Sequence, residues 1–115
     1  MPAARRSWAT AHKDTVVRYV RALAAAFRFI RDPANRGVVA AAIVADTGCT
    51  EADARATLAL YLEPERHVLP RQGEIDLEGM TQAIALMAEA GQLKAPLPPA
   101  ERFVDLQYLR AAGIE

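Results

Sequence analysis

Apolar residues recur along most of this chain at steps of three and four, the period of one face of an α-helix. The clearest case starts at Asp14 and runs to Arg31. Val16, Val20, Leu23, Phe27 and Ile30 make one row, and Tyr19, Ala22, Ala26 and Phe29 make a second row beside it. Together they cover about half the helix circumference, wider than the ~100° stripe a surface helix needs. The pattern therefore predicts a helix with neighbours on two sides, leaving Arg18, Arg21 and Arg28 on a solvated face. A shorter helix is expected over Pro2–His12, with Trp8 as its one large apolar side chain. Leu77, Met80, Ile84 and Met87 form a single clean row that predicts a further core-facing helix, with the methionines as packing residues.

Punctuation divides the remainder. Asp32-Pro33 is a helix start, an N-cap carboxylate followed by proline at the first helical position. That helix is expected to run to about Thr47, burying Val39, Ala42 and Ile43, and to stop at Gly48 in the left-handed conformation. Thr50 with Asp53 three residues on approximates a capping box for the next helix, which ends near Leu62. Residues 63–75 hold Pro64, Pro70 and Gly73 and read as a long loop, a length that suggests a spanning or functional role. Arg66-His67-Val68-Leu69 and Glu74-Ile75 are its only candidates for extended pieces. Asp76 caps the Leu77 helix, which ends at Gly91. Residues 92–99, with Lys94 to Pro99 reading KAPLPP, form a stiff linker, and a last helix is expected over Ala100–Ala112 with Phe103, Leu106, Tyr108 and Leu109 to bury. The fold class is all-α, five to six helices in one region spanning 1–115.

Composition changes the picture in two ways. Alanine supplies 25 of the 115 residues, so the helices gain stability by close approach more than by bulk, and the core is modest. The 14 basic and 14 acidic side chains cancel, without the basic excess that marks a nucleic-acid-binding domain. No run approaches the ~18 apolar residues of a membrane span. MPAARRSW starts positive but leads into no apolar stretch, so no signal peptide is expected; if the chain is complete, that places it in the cytoplasm.

Candidate chemistry is sparse. His12, His67 and Cys49 are scattered and form no metal-ligand pair. Cys49, the lone cysteine, reads as a small apolar residue in a turn. Ser7 sits in a helix, outside any nucleophile turn. The carboxylate pairs Glu63/Glu65 and Asp76/Glu78 lie at loop and cap positions, where negative charge suits a helix N-terminus. No enzyme, metal or cofactor is implied. The stretch from Asp32 to Leu62, helix–glycine turn–helix, has the spacing of a DNA-binding helix-turn-helix. Yet the first turn of its second helix is Thr50-Glu51-Ala52-Asp53, with only Arg55 to offset two carboxylates. Base-reading helices bring Arg, Lys, Asn or Gln to that turn, so nucleic acid is an unfavoured partner.

Three stretches resemble the C-terminal part of ABC-transporter substrate-binding proteins of the nitrate/sulfonate/taurine and thiamine-precursor group. They are the run from Arg5 to Leu62, GEIDLEGM from Gly73 to Met80, and ERFVDLQYLRAAG from Glu101 to Gly113. The most specific pieces are Asp32-Pro33-Ala34-Asn35-Arg36, the Gly73–Gly79 segment, and Phe103-Val104-Asp105-Leu106 with Tyr108. The resemblance implies the closing helices of a two-lobed α/β binding protein, periplasmic or membrane-anchored, that delivers a small anionic or heterocyclic solute to an ABC permease. It spans about the last third of such a protein, assuming two lobes of ordinary domain size. Ligand-contacting residues would come mostly from the lobes, so none is assigned here, and the fragment alone is not expected to capture solute. The wide apolar face of Val16–Ile30 then calls for cover by the missing lobes or by a second copy of the chain, or else leaves the fragment loosely packed. The alternative is a stand-alone helical protein-interaction or helix-turn-helix DNA-binding module.

Overall fold

The computed structural model describes residues 2–66 and 68–114. It is all-helical, with no strand among the described residues. Six α-helices follow in order: α1 Arg6–Ala11, α2 Lys13–Arg31, α3 Arg36–Thr47, α4 Glu51–Leu62, α5 Leu77–Glu89 and α6 Gln107–Ala111. Short 3-10 turns occupy Pro33–Asn35, Pro64–Arg66 and Ala100–Arg102.

The capping signals act as local chemistry dictates. The Asp32 carboxylate accepts the Ala34 N–H (2.9 Å), with Pro33 beginning a 3-10 turn that hands over to α3 at Arg36. Gly48 closes α3 at φ 71°, a conformation that a Cβ would penalise. Thr50 Oγ1 accepts the Asp53 N–H (3.1 Å) and donates its own proton to Asp53 Oδ2 (2.7 Å). The box is thus closed hydroxyl to carboxylate, in place of the usual return bond to the cap's backbone N–H. Asp76 Oδ1 accepts the Gly79 N–H (2.9 Å) to start α5. At its other end Gly91 takes φ 73°, and the Gln92 N–H reaches back to the Met87 carbonyl (2.9 Å), the bond of a Schellman stop.

Three expectations shift. Helix α1 starts only at Arg6, because Arg5 is extended (φ −64°, ψ 133°). The last helix is broken: the Ala100 turn ends at Phe103, and α6 begins at Gln107. Asp105 sits in the break and takes the Gln107 N–H (3.2 Å) and side-chain amide (2.7 Å), the local competition by which Asp interrupts a helix. Neither Glu74-Ile75 nor Val68-Leu69 joins a strand, and Arg66 lies in a 3-10 turn; His67 lies outside the described residues.

Two small clusters hold the molecule together. In one, α3 packs on α4 through Val39, Ala40, Ala54 and Leu58, with Ile30, Ile43, Val44, Cys49 and Leu62 around them. Ala40 and Ala54 are 1% and 0% exposed, so the two helices approach closely at these alanines. Ala42, expected inside, faces solvent, because the close contact at Ala40 sets the phase of α3. In the other cluster, Tyr108 of α6 packs with Ala9 of α1 and Val17 of α2, with Val16, Val20 and Ala112 against them. Helix α5 docks chiefly on the Ala100–Arg102 turn; Ile84 and Ala100 are both buried.

The assembly is open. Its radius of gyration is 16.8 Å, against about 13 Å for a compact chain of this length. Its accessible surface is 8504 Å², roughly 2,300 Å² more than the ~6,200 Å² of a monomeric globular protein of this mass. No large side chain among the described residues is completely buried. On α2, Val16, Val20, Leu23, Phe27 and Ile30 are only half-buried, and burial is deepest one position aside, at Val17 and Ala24. The second row, Tyr19, Ala22, Ala26 and Phe29, is solvent-exposed along its whole length. Among the described residues nothing buries it.

Candidate functional site

Between α1, α2 and α6 lies an open apolar groove of about 560 Å³. It is lined by Trp8 and Ala9 of α1, by Val16, Tyr19, Val20 and Leu23 of α2, and by Phe103, Val104, Tyr108 and Leu109, with Gly73 and Ile75. Trp8, Tyr19 and Phe103 are about half exposed, at 47%, 52% and 59%. Trp8 lies flat on His12 one turn later, ring centroids 4.6 Å apart and planes 16° from parallel, while His12 Nδ1 is 2.9 Å from the Trp8 carbonyl oxygen. This fixes the indole at the rim. Arg6 supplies a charge beside it and donates to the Arg102 carbonyl (3.1 Å). Exposed Trp and Tyr flanked by Arg is the residue mix enriched at the energetic centre of protein interfaces.

Arg21 and Arg28 lie on the solvated face expected of them, yet with Arg31 they also tie other segments to α2. Arg21 Nη2 donates to the Ala111 carbonyl (3.1 Å) and Nε to that of Ala112 (3.4 Å). It thereby satisfies open carbonyls at the C-terminus of α6 and holds that helix on α2. Arg28 donates to Gln72 Oε1 (3.2 Å), and Arg31, half-buried, donates to the carbonyls of Pro70 (3.0 Å) and Leu69. These bonds tie residues 69–72 to α2. That stretch is stiffened by Glu74, whose carboxylate accepts the N–H groups of Arg71 (2.6 Å) and Gln72 (2.7 Å). Partial burial would raise the Glu74 carboxyl, but backbone N–H bonds from Arg71, Gln72 and Glu74 itself, with the charge of Arg31, hold it below its ordinary value. Gly73 crosses at φ 99°, where an added Cβ would lie 3.7 Å from the Phe27 ring. The sequence signal for these clamps was the arginines at 21, 28 and 31, seven and three residues apart; their partners are 38 to 91 positions away and leave no local trace.

The remaining candidate residues stay apart. Among the described residues no group of His, Cys, Asp and Glu is placed to hold a metal ion. Cys49 is half-buried against the α3–α4 cluster, and Ser7 is exposed on α1. Glu63 pairs with Arg66, and Asp76 serves as a cap. In the helix–turn–helix stretch, Arg55 forks onto Glu51 Oε1 (3.0 and 2.7 Å). Arg55 is thus engaged within its own helix. Among the described residues no helix is long and apolar enough to cross a membrane. No protein-family model, curated protein or solved structure matches the chain.

Proposed function

We propose that this chain is a non-catalytic helical docking region, the closing helices of a solute-binding component of an ABC importer of the nitrate/sulfonate/taurine or thiamine-precursor type. The observation that carries the reading is the surplus of roughly 2,300 Å² of accessible surface over a compact monomer, together with the half-exposed Trp8, Tyr19 and Phe103 around one groove. Such surface is rarely left uncovered. In the parent protein it would seat against the ligand-binding lobes. The residues that carry the resemblance support the reading in a specific way: Asp32-Pro33, Asp76 with Gly79, and Asp105 each shape a helix start or break. Positions of this kind set the path of the closing helices. Solute contact, permease engagement and periplasmic or membrane-anchored placement then belong to the whole protein.

A graft tests this. A taurine-binding family member cut back to its two lobes and completed with residues 1–115 should regain taurine binding in calorimetry, while the 115-residue chain alone gives no heat with taurine, nitrate or an aminopyrimidine. Tight binding by the chain alone, or a graft no better than the bare lobes, would overturn the proposal.

A further inference from the structure

The exposed row on α2 has a property that the groove does not share: it reads the same in both directions. Tyr19, Ala22, Ala26 and Phe29 are spaced three, four and three residues apart, symmetric about the level of Ala24, with an aromatic at each end and alanine at both inner positions. All four are solvent-exposed. At 1.5 Å per residue the row is about 15 Å long, on a regular 19-residue helix. We infer that α2 pairs antiparallel with α2 of a second copy of this chain, across a two-fold axis at the level of Ala24.

An isologous contact requires that if residue i meets residue j, then j meets i. Antiparallel pairing about this centre sets Tyr19 against Phe29 of the second copy, and Ala22 against its Ala26, twice over. Each aromatic thus finds the other aromatic at the ends, and the four alanines face one another in the middle, where small side chains let the helices approach. A 3-4-3 spacing is a stretch of the alternating three- and four-residue steps of a heptad seam, which keeps two helices in contact at a shallow crossing angle. A parallel pair would stack like on like with no such exchange of ends. The charges permit the match: the chain is neutral, so copies do not repel through net charge, and Arg21 and Arg28 are turned to Ala111, Ala112 and Gln72 of their own chain. A standard interface takes about 800 Å² from each partner, more than four side chains supply, and Tyr19 lines the groove together with Trp8 and Phe103, so the contact extends over them. This inference concerns the 115-residue chain and stands apart from the solute-binding reading.

Sedimentation equilibrium of the chain should give a dimer at micromolar concentration. Ala22→Glu with Ala26→Glu places carboxylates face to face at the centre of the row and should weaken the dimer at least a hundredfold. Helical circular dichroism should stay at the parent level, since both positions are exposed. To test the direction of pairing, each single variant Ala22→Cys and Ala26→Cys is made in a Cys49→Ser background. Mixed, the two should cross-link at least tenfold faster than either does alone. A monomer at all concentrations, a dimer indifferent to the two glutamates, or equal cross-linking in the mixed and single samples would each overturn the inference.

Discussion

Tyr108→Ala should remove most of the stability of the α1–α2–α6 unit. Tyr108 is 8% exposed and is the one large side chain in a cluster otherwise made of Ala9 and Val17. Helix α6 has five residues and cannot persist on propensity alone, so it depends on this anchor and on Arg21. Truncating a buried aromatic to alanine costs about 3–5 kcal/mol. A chain of this length has about 6–17 kcal/mol in total, and an open structure with two small clusters belongs at the lower end. The substitution therefore takes a third or more of the whole. With a urea m-value of about 1.5 kcal/mol/M, the midpoint should fall by about 2–3 M. Trp8, the sole tryptophan, lines the same groove, so its fluorescence reports this unit directly. The measurement is urea unfolding followed by Trp8 emission at one fixed protein concentration, since self-association shifts the midpoint. Phe103→Ala is the control: Phe103 is 59% exposed, and its loss should cost under about 1 kcal/mol by the ordinary size of surface effects. Equal midpoint shifts for the two substitutions, or a Tyr108→Ala shift below half a molar, would refute the assignment of Tyr108 as the anchor.

Gly48→Ala meets open space but keeps φ 71°, so its whole effect is backbone strain of about 1–2 kcal/mol, readable as a lower melting temperature, and Gly48→Asn should recover most of it. Glu74 gives an acid-side signature. Its folded carboxyl lies below the ordinary value of 4.5, so its contribution is complete above that pH and is lost as pH falls through the lowered folded value. Urea midpoints taken from pH 6 downward should decline less steeply in Glu74→Gln than in the parent, and parallel curves would refute the loop-clamp role. Arg21→Met keeps the aliphatic stem but frees the carbonyls of Ala111 and Ala112. Amide exchange in α6 should speed up severalfold while that of α3 and α4 stays unchanged.

The sequence by itself determined the elements whose causes are local. Asp32-Pro33, Gly48, Thr50 with Asp53, Asp76 and Gly91 each act within four residues of their own position, so the helix starts and stops, and with them the all-α class, were legible in the order of residues. The break at Asp105 was local too, but its weak helix interruption was masked by the apolar spacing of Phe103, Leu106 and Leu109. What only the tertiary structure decided was which face of each helix is inside. Two apolar rows on α2 predict burial equally well, yet the deepest burial falls on Val17 and Ala24, in neither row, and this depends on where α1 and α6 land. Ala42 was placed inside and lies outside for the same reason, because Ala40 meets Ala54 on a helix that sequence periodicity does not orient. The arginine clamps belong here as well: a guanidinium bonded to a carbonyl 91 positions away reflects packing geometry, and a pattern of period 3.6 records only the helix that carries it.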